Sequence, residues 1–381
     1  MNHIFQDMIL RTRALRQAEE TMRRVCDNWG YDEVILPTLL PYESLRRGQS
    51  APESNTHKLI DENGRILVLR PDMTAPIAEW AATEWGDASR PLRVSYFSTL
   101  FRRGQGGQGG SREYFQAGVE LIGSADVSAD AEVLGLACEA LEQVGVRGFQ
   151  INVGHNGLLR AITQRLGLRD DTETALREAL QTRDIVGVQS LIQGLTLLDN
   201  GIELLECLLP FGDSKEDPET LLSTLEQYQL PIELLEEIRQ IFRAVARSHP
   251  DRSIRLDVSL VRDLEYYTGP VFEIYCPATG AMLGGGGRYD GLISLFGPSE
   301  PATGLALDLE QIVSSLSQEV DRTAEDRPTF IALNDDPSDK GCWERARRLR
   351  SSGCRVVVNR VTCGAAEAEE HDSECRGDGI E

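Results

Sequence analysis

The segment REYFQAGVELIG, Arg112 to Gly123, is compatible with only one regular conformation. Phe115, Ala117, Val119 and Leu121 alternate with Gln116, Gly118 and Glu120, a period of two that puts the apolar set on one face of a strand and the polar set on the other. A helix would scatter both sets around its circumference and would carry Gly118 at a cost of about 1 kcal/mol. One face of this strand therefore belongs to a core. The other presents an amide and a carboxylate to whatever lies over the sheet.

Such a strand needs neighbours, because an isolated hairpin buries too little to persist. The chain supplies them in two blocks. In the first, an amphipathic helix from Phe5 to Trp29, with Leu15, Ala18, Met22, Val25 and Cys26 at helical spacing and Gly30 at its C-cap, feeds the strand YDEVILPTL. HKLIDENGRILVLRP reads as a hairpin turning through Asn63-Gly64 in a type I′ geometry. RVSYFSTLFRR precedes the alternating strand, and FQINV follows a helix over Ala129 to Val144. Helical periodicity then fills about 156–245, with loop signals at Asp199 to Gly201 and Gly212 to Pro218. In the second block SIRLDVSLV, GPVFEIYCP and AMLGGGGRYDGL read as strands, and GLALDLEQIVSSLSQEV as a strand running into a helix. Strands, then helices, then strands again predict an α+β domain over residues 1–320 with mostly antiparallel pairing and a helical insertion. Beyond the linker DRTAEDRP, residues 321–363 hold one strand, helix and strand (TFIAL, KGCWERARRLRSSG, CRVVV), a partial α/β unit. Residues 364–381 form an acidic tail that lacks the apolar content to fold.

Gly104, Gly106 and Gly109 have the G-x-G-x-x-G spacing of a dinucleotide fingerprint, which requires a helix directly after the glycines. A strand follows instead, so we expect a loop between two antiparallel strands and no cofactor. Eight cysteines without a C-x-x-C pair suggest neither a zinc site nor a disulfide framework. With 39 basic and 61 acidic residues the net charge is −22, which disfavours nucleic acid as a partner. The N-terminus lacks a signal-peptide core and no run is long enough to span a membrane, so a cytoplasmic protein is expected.

Four segments, LRPDMTA (Leu69 to Ala75), FRRGQGGQGGSREYFQ (Phe101 to Gln116), LVRDLEYYTGPVFE (Leu260 to Glu273) and GGGGRYDGL (Gly284 to Leu292), resemble in order the class II aminoacyl-tRNA synthetase core in its histidyl form. The resemblance implies an antiparallel sheet flanked by helices and a motif 1 dimer interface built from the first helix and GYDEVILPTL. It also implies a histidine pocket. Asp72, with Thr74 on the same face if this stretch is a strand, would meet the amino group. Arg102, Gln116 and Glu120 would line the amino-acid site, Arg262 would meet the carboxyl end, and Tyr266, Tyr267 and Tyr289 would surround the imidazole. These residue types suit the ligand, since an ammonium wants carboxylates, a carboxylate wants guanidinium, and an imidazole wants a polar group inside an aromatic enclosure.

The ATP-handling positions depart from that pattern. Phe101 and Arg102 match the start of motif 2, but Gly104 stands where the synthetases have glutamate; in motif 3, Gln311 replaces an arginine and Asp308 adds a negative charge. Each lost preorganised charge removes about 2 to 4 kcal/mol of transition-state stabilisation. A kept histidine pocket, lost ATP groups and a truncated C-terminal unit together resemble the regulatory subunits of ATP phosphoribosyltransferase. That family implies no catalytic residue, metal or cofactor of the chain's own. It implies histidine-dependent control of a short-form catalytic subunit within a hetero-octamer. A histidyl-tRNA synthetase with divergent ATP motifs is the alternative.

Overall fold

The computed structural model describes residues 2–48, 56–102, 113–195, 218–249, 253–260, 266–316, 330–333 and 340–358, with single positions at 201, 204, 205 and 207. Two compact units divide the chain, Met1–Gln318 and Glu319–Glu381.

In the first unit, helix α1 (Asn2–Asn28) ends at Gly30, whose φ of 78° is the left-handed conformation that closes a helix cheaply only with glycine. The main sheet has eight strands: β1 (Asp32–Glu33), β5 (Leu92–Phe101), β6 (Glu113–Ile122), β11 (Ala302–Asp308), β10 (Ala281–Arg288), β9 (Pro270–Cys276), β7 (Gln150–His155) and β8 (Ser253–Leu256), in that spatial order. Pairing is antiparallel except at the two edges, where β1 runs parallel to β5 and β8 parallel to β7. Phe101 at the end of β5 lies opposite Glu113 at the start of β6, so the glycine-rich segment does connect two antiparallel strands; its own residues, 103–112, fall outside those described.

Helices cover the face of β6 that carries Ala117, Val119 and Leu121. Helix α4 (Val127–Val144), capped by Asp126 accepting from the Ser128 amide and closed by Gly145, packs Val133, Leu134, Ala137 and Leu141 there, with Ala18, Met22 and Val25 of α1 behind it. Each valine, leucine or methionine among them contributes about 1.5 to 3 kcal/mol on leaving water. The opposite face carries a second core around Tyr96, Leu100, Tyr289 and helix α3 (Thr74–Thr83), and there the sheet stays partly open.

Strands β2 (Leu39–Pro41), β4 (Ile66–Leu69) and β3 (Lys58–Ile60) form a separate antiparallel sheet beside helix α2 (Tyr42–Gly48). YDEVILPTL is therefore two short strands rather than one. Pro37 has no N–H to give a ladder, and the chain leaves the main sheet after Glu33. The hairpin also differs from expectation. Ile60 pairs with Ile66, leaving a five-residue connection in which Gly64 alone has positive φ, and the Asp61 carboxylate accepts from the amides of Asn63 and Arg65. That local Asx geometry prevails over the type I′ turn. Likewise SIRLDVSLV stops being a strand at Leu256, where Asp257 accepts from the Ser259 amide and hydroxyl.

The insertion carries α5 (Asn156–Arg165), α6 (Asp170–Gln181), α7 (Ile185–Gly194), α8 (Pro218–Gln227) and α9 (Ile232–Ser248). The expected loops near 199–201 and 212–218 fall mostly outside the described residues. Strand β11 runs directly into α10 (Leu309–Leu316). In the second unit β12 (Phe330–Leu333) and β13 (Arg355–Val358) pair in parallel around helix α11 (Lys340–Ser351), and the linker and acidic tail lie outside the described residues. No helix is long and apolar enough to cross a membrane among the described residues.

Candidate functional site

The open face of the sheet holds a cavity of about 180 Å³. Asp72, Thr74, Arg102, Gln116, Glu120, Tyr266, Tyr267 and Tyr289 all line it; Arg262 lies outside the described residues.

Glu120 is buried, 2% exposed, third from the C-terminal end of β6. The Tyr289 phenol donates to its Oε2 and the Thr74 hydroxyl to its Oε1 at 2.7 Å. Burial pushes its carboxyl up to about 8, and the charge of Asp72 adds to this, while the two hydroxyl donors pull the other way. Gly304 makes room for it, because a Cβ there would stand 1.8 Å from Glu120 Oε2.

Asp72 and Thr74 do not share a strand face. Asp72 precedes α3 and accepts from the Ala75 amide at 3.0 Å, while Thr74 opens the helix and turns its hydroxyl to Glu120. The two meet the pocket because helix α3 begins at Thr74, with Asp72 in the turn just before it. Arg102, at the end of β5, donates from Nε to the Pro71 carbonyl at 2.8 Å and so ties that turn to the sheet.

Tyr266, Tyr267 and Tyr289 form the aromatic end, with Tyr266 4.9 Å from Tyr267 and edge-on to Tyr289 at 5.9 Å between ring centroids. Burial and the neighbouring Glu120 hold the Tyr289 phenol well above its ordinary range.

Sequence reasoning missed Tyr96. It lines the cavity from β5, is 1% exposed and donates to Gln116 Oε1 at 3.0 Å. The signal for it was present in Gly118, which pairs with Tyr96 across the strands and whose missing side chain is the space the phenol fills. The floor was missed as well. Gly284 to Gly286 of β10 line the cavity, and a Cβ on Gly286 would lie 2.0 Å from the Gly304 carbonyl, so this glycine run serves close strand packing.

At the mouth, Asp308 accepts from the amides of Glu310 at 2.9 Å and Gln311 at 3.0 Å. Its carboxylate occupies the donors at the start of α10 that an anion would otherwise use. Burial raises the Asp308 carboxyl and the charge of Arg102 opposes that rise. The described lining thus sets the carboxylates of Asp72 and Asp308 against the guanidinium of Arg102, with Glu120 held largely protonated at neutral pH as a further oxygen acceptor, a balance suited to an ammonium or other N–H donor. No group of three or more histidine, cysteine, aspartate or glutamate residues is placed to hold a metal ion among the described residues.

An antiparallel sheet with helices on one face and a small acidic pocket with an aromatic end on the other defines a protein built on the class II aminoacyl-tRNA synthetase fold. Residues 6–312 match the histidyl-tRNA synthetase family model. The chain is 34% identical over 356 residues to the ATP phosphoribosyltransferase regulatory subunit of Moorella thermoacetica, covering 93% of this chain and 90% of that one. A crystal structure of an ATP phosphoribosyltransferase regulatory subunit/histidyl-tRNA synthetase from Bacillus halodurans aligns with a TM-score of 0.78 at 28% identity, over 93% of this chain and 90% of that one. The ATP phosphoribosyltransferase complex from Thermotoga maritima shares the fold, with a TM-score of 0.60 at 18% identity over 77% of this chain and 96% of that one. The chain belongs to the ATP phosphoribosyltransferase regulatory subunits.

Proposed function

We propose that the pocket binds free L-histidine and that its occupancy is the signal by which this subunit controls a short-form ATP phosphoribosyltransferase catalytic subunit, providing both activation and feedback inhibition at the first step of histidine biosynthesis. The observation that carries the reading is the pairing of an acid-rich lining with an aromatic end around the buried Glu120. Because Tyr289 bonds Glu120, that carboxyl belongs to the aromatic end and would take an imidazole N–H. Asp72 and Gln116 would take the ammonium, with Arg102 and Arg262 toward the carboxylate end. A cavity of about 180 Å³ suits an amino acid better than the drug-sized ligands of roughly 300 Å³ pockets and above.

Asp308 in place at the α10 terminus supports a subunit without ATP-dependent activation of its own. The catalytic subunit would be the partner in a cytoplasmic hetero-octamer, and the motif 1 region would form a self-dimer. Ile35, 87% exposed just after β1, supports a covered face in that region. Three measurements test the reading. Calorimetry should detect L-histidine binding that Glu120→Ala weakens at least tenfold without unfolding the chain. The chain should co-purify with a short-form catalytic subunit and make its activity histidine-sensitive. Histidine-dependent ATP–pyrophosphate exchange by the purified chain would instead establish the synthetase alternative.

A further inference from the structure

We propose that Asn156, the first residue of the helical insertion, is a positioning residue that couples occupancy of the pocket to the placement of helices α6 and α7; this rests on the histidine-binding reading above. Asn156 stands where β7 ends, one residue beyond the His155–Pro270 pair, and its amide donates to the Gly269 carbonyl at 3.0 Å. Its side-chain amide donates to the backbone carbonyl of Tyr267, whose ring lines the pocket. Its side-chain oxygen accepts from Arg177 of α6 at 3.4 Å. Arg177 in turn pairs with Glu173, which accepts from Thr163 of α5 at 3.0 Å. A single polar ring therefore joins the backbone behind a pocket tyrosine to two insertion helices.

A second tie lies between α6 and α7. Arg183, with φ of 54°, is the left-handed residue that closes α6, its amide donating to the Leu180 carbonyl and the Asp184 amide to that of Ala179. The Arg183 guanidinium reaches β9, pairing with Glu273 at 2.6 Å and lying 5.1 Å over the Tyr275 ring. Glu273 is 8% exposed and pairs across the strands with Gly285, which lines the pocket floor. The first attachment thus reaches the backbone of a residue that lines the pocket, the second reaches β9, the strand paired with the pocket floor, and both are directional polar contacts. A ligand ring packed on Tyr267 fixes the carbonyl that Asn156 reads. Reciprocally, breaking the Asn156 contact must change ligand affinity, because coupling free energy is symmetric for binding.

The test is amide hydrogen exchange by mass spectrometry on the full chain, with and without saturating L-histidine, alongside calorimetry. In the parent, histidine should slow exchange in α6 and α7 as well as around the pocket. Asn156→Asp keeps the size and an acceptor for Arg177 but cannot donate to the Tyr267 carbonyl. It should bind histidine about five- to tenfold more weakly, protect the pocket peptides when saturated, and leave α6 and α7 unprotected. Arg177→Ala, which keeps the Tyr267 contact but cuts the link to α6, should lose histidine-dependent protection in α6 and bind histidine more weakly by the factor that this protection represents in the parent; it serves as the second variant if the aspartate disturbs folding. Protection of α6 and α7 in these variants equal to the parent overturns the inference, as does calorimetric binding to the parent without any protection there. Absence of histidine binding to the parent removes the binding reading itself and this inference with it.

Discussion

Gly118→Ala is a one-carbon change whose effect follows from a single distance. A Cβ at this position would lie 2.3 Å from the ring carbon Cζ of Tyr96 and 2.4 Å from its hydroxyl, against an ordinary contact of 3.4 to 4 Å. Gly118 has no positive φ, so the backbone accepts alanine and only the ring objects. The ring must retreat by about 1 Å, yet it is 1% exposed and enclosed by the second core, where inserting one carbon costs about 1 to 3 kcal/mol. Reduced freedom of the unfolded chain returns about 0.4 to 1 kcal/mol, which leaves a net loss of about 1.3 kcal/mol at the centre of the two ranges. The same retreat draws the phenol away from Gln116 Oε1, now 3.0 Å distant, so the pocket changes shape along with stability. Urea denaturation of the four members of a Gly118→Ala and Tyr96→Leu cycle measures this. Alanine should be close to neutral once residue 96 is leucine. A cost equal in both backgrounds would show that the clash with Tyr96 is not its source, and stability within about 0.5 kcal/mol of the parent in the single variant would refute the steric argument outright.

Glu120 should titrate near 8 in the free protein, observed through its carboxyl carbon by NMR. Since its folded value is raised above the ordinary 4.5, its contribution to stability is complete below 4.5 and is lost as pH rises through about 8. Glu120→Gln should therefore gain on the parent across that window, by at most about 1.4 kcal/mol per pH unit; parallel stability curves would contradict the assignment. Arg239 of α9, its side chain 9% exposed, pairs with Glu219 at 2.8 Å and Glu226 at 2.7 Å. Arg239→Ala leaves those carboxylates facing one another and should lower stability by about 1 to 2 kcal/mol, with the loss shrinking in high salt; a salt-independent change would mean lost packing instead. Burial, and next the charge of Glu33, push the Cys26 thiol up to about 12, so it should escape alkylation at mildly alkaline pH until the chain is denatured. Modification of native Cys26 at the rate of the part-exposed Cys354 would contradict that.

How far the site was legible depended on the period of its elements. The alternation in β6 placed Gln116 and Glu120 on one face, and the register with β5 and β11 keeps them there. Tyr96 was harder to read because β5 is buried on both faces at its centre, so its pattern does not alternate. Asp72 and Thr74 line one cavity, though not through the shared strand face that their spacing suggests. Two residues apart is also the distance from an aspartate that accepts from the first helical turn to a hydroxyl within that turn, and nothing in LRPDMTA alone separates that geometry from a strand. Proline and short polar side chains account for the remaining differences. Pro37 ends a ladder, and Asp61 and Asp257 fold their carboxylates onto nearby amides, local bonds that hydrophobic periodicity does not register.

Asp308 illustrates the limit from the other side. As a sequence letter it was an added negative charge; in the fold the same carboxylate is the cap of α10, bonded to two amides. A phosphate approaching that terminus would have to displace an intramolecular acceptor and then sit beside its charge, whereas an ammonium entering the pocket meets the carboxylates of Asp72 and Asp308 without displacing a helix cap. One substitution thus acts twice. It removes the helix terminus as an anion site, and it adds to the carboxylate excess that favours a cationic group. Arg102, the guanidinium among the described lining residues, is drawn to the Pro71 carbonyl and toward Asp308, so it balances the mouth of the pocket more than it opens a seat for a polyanion.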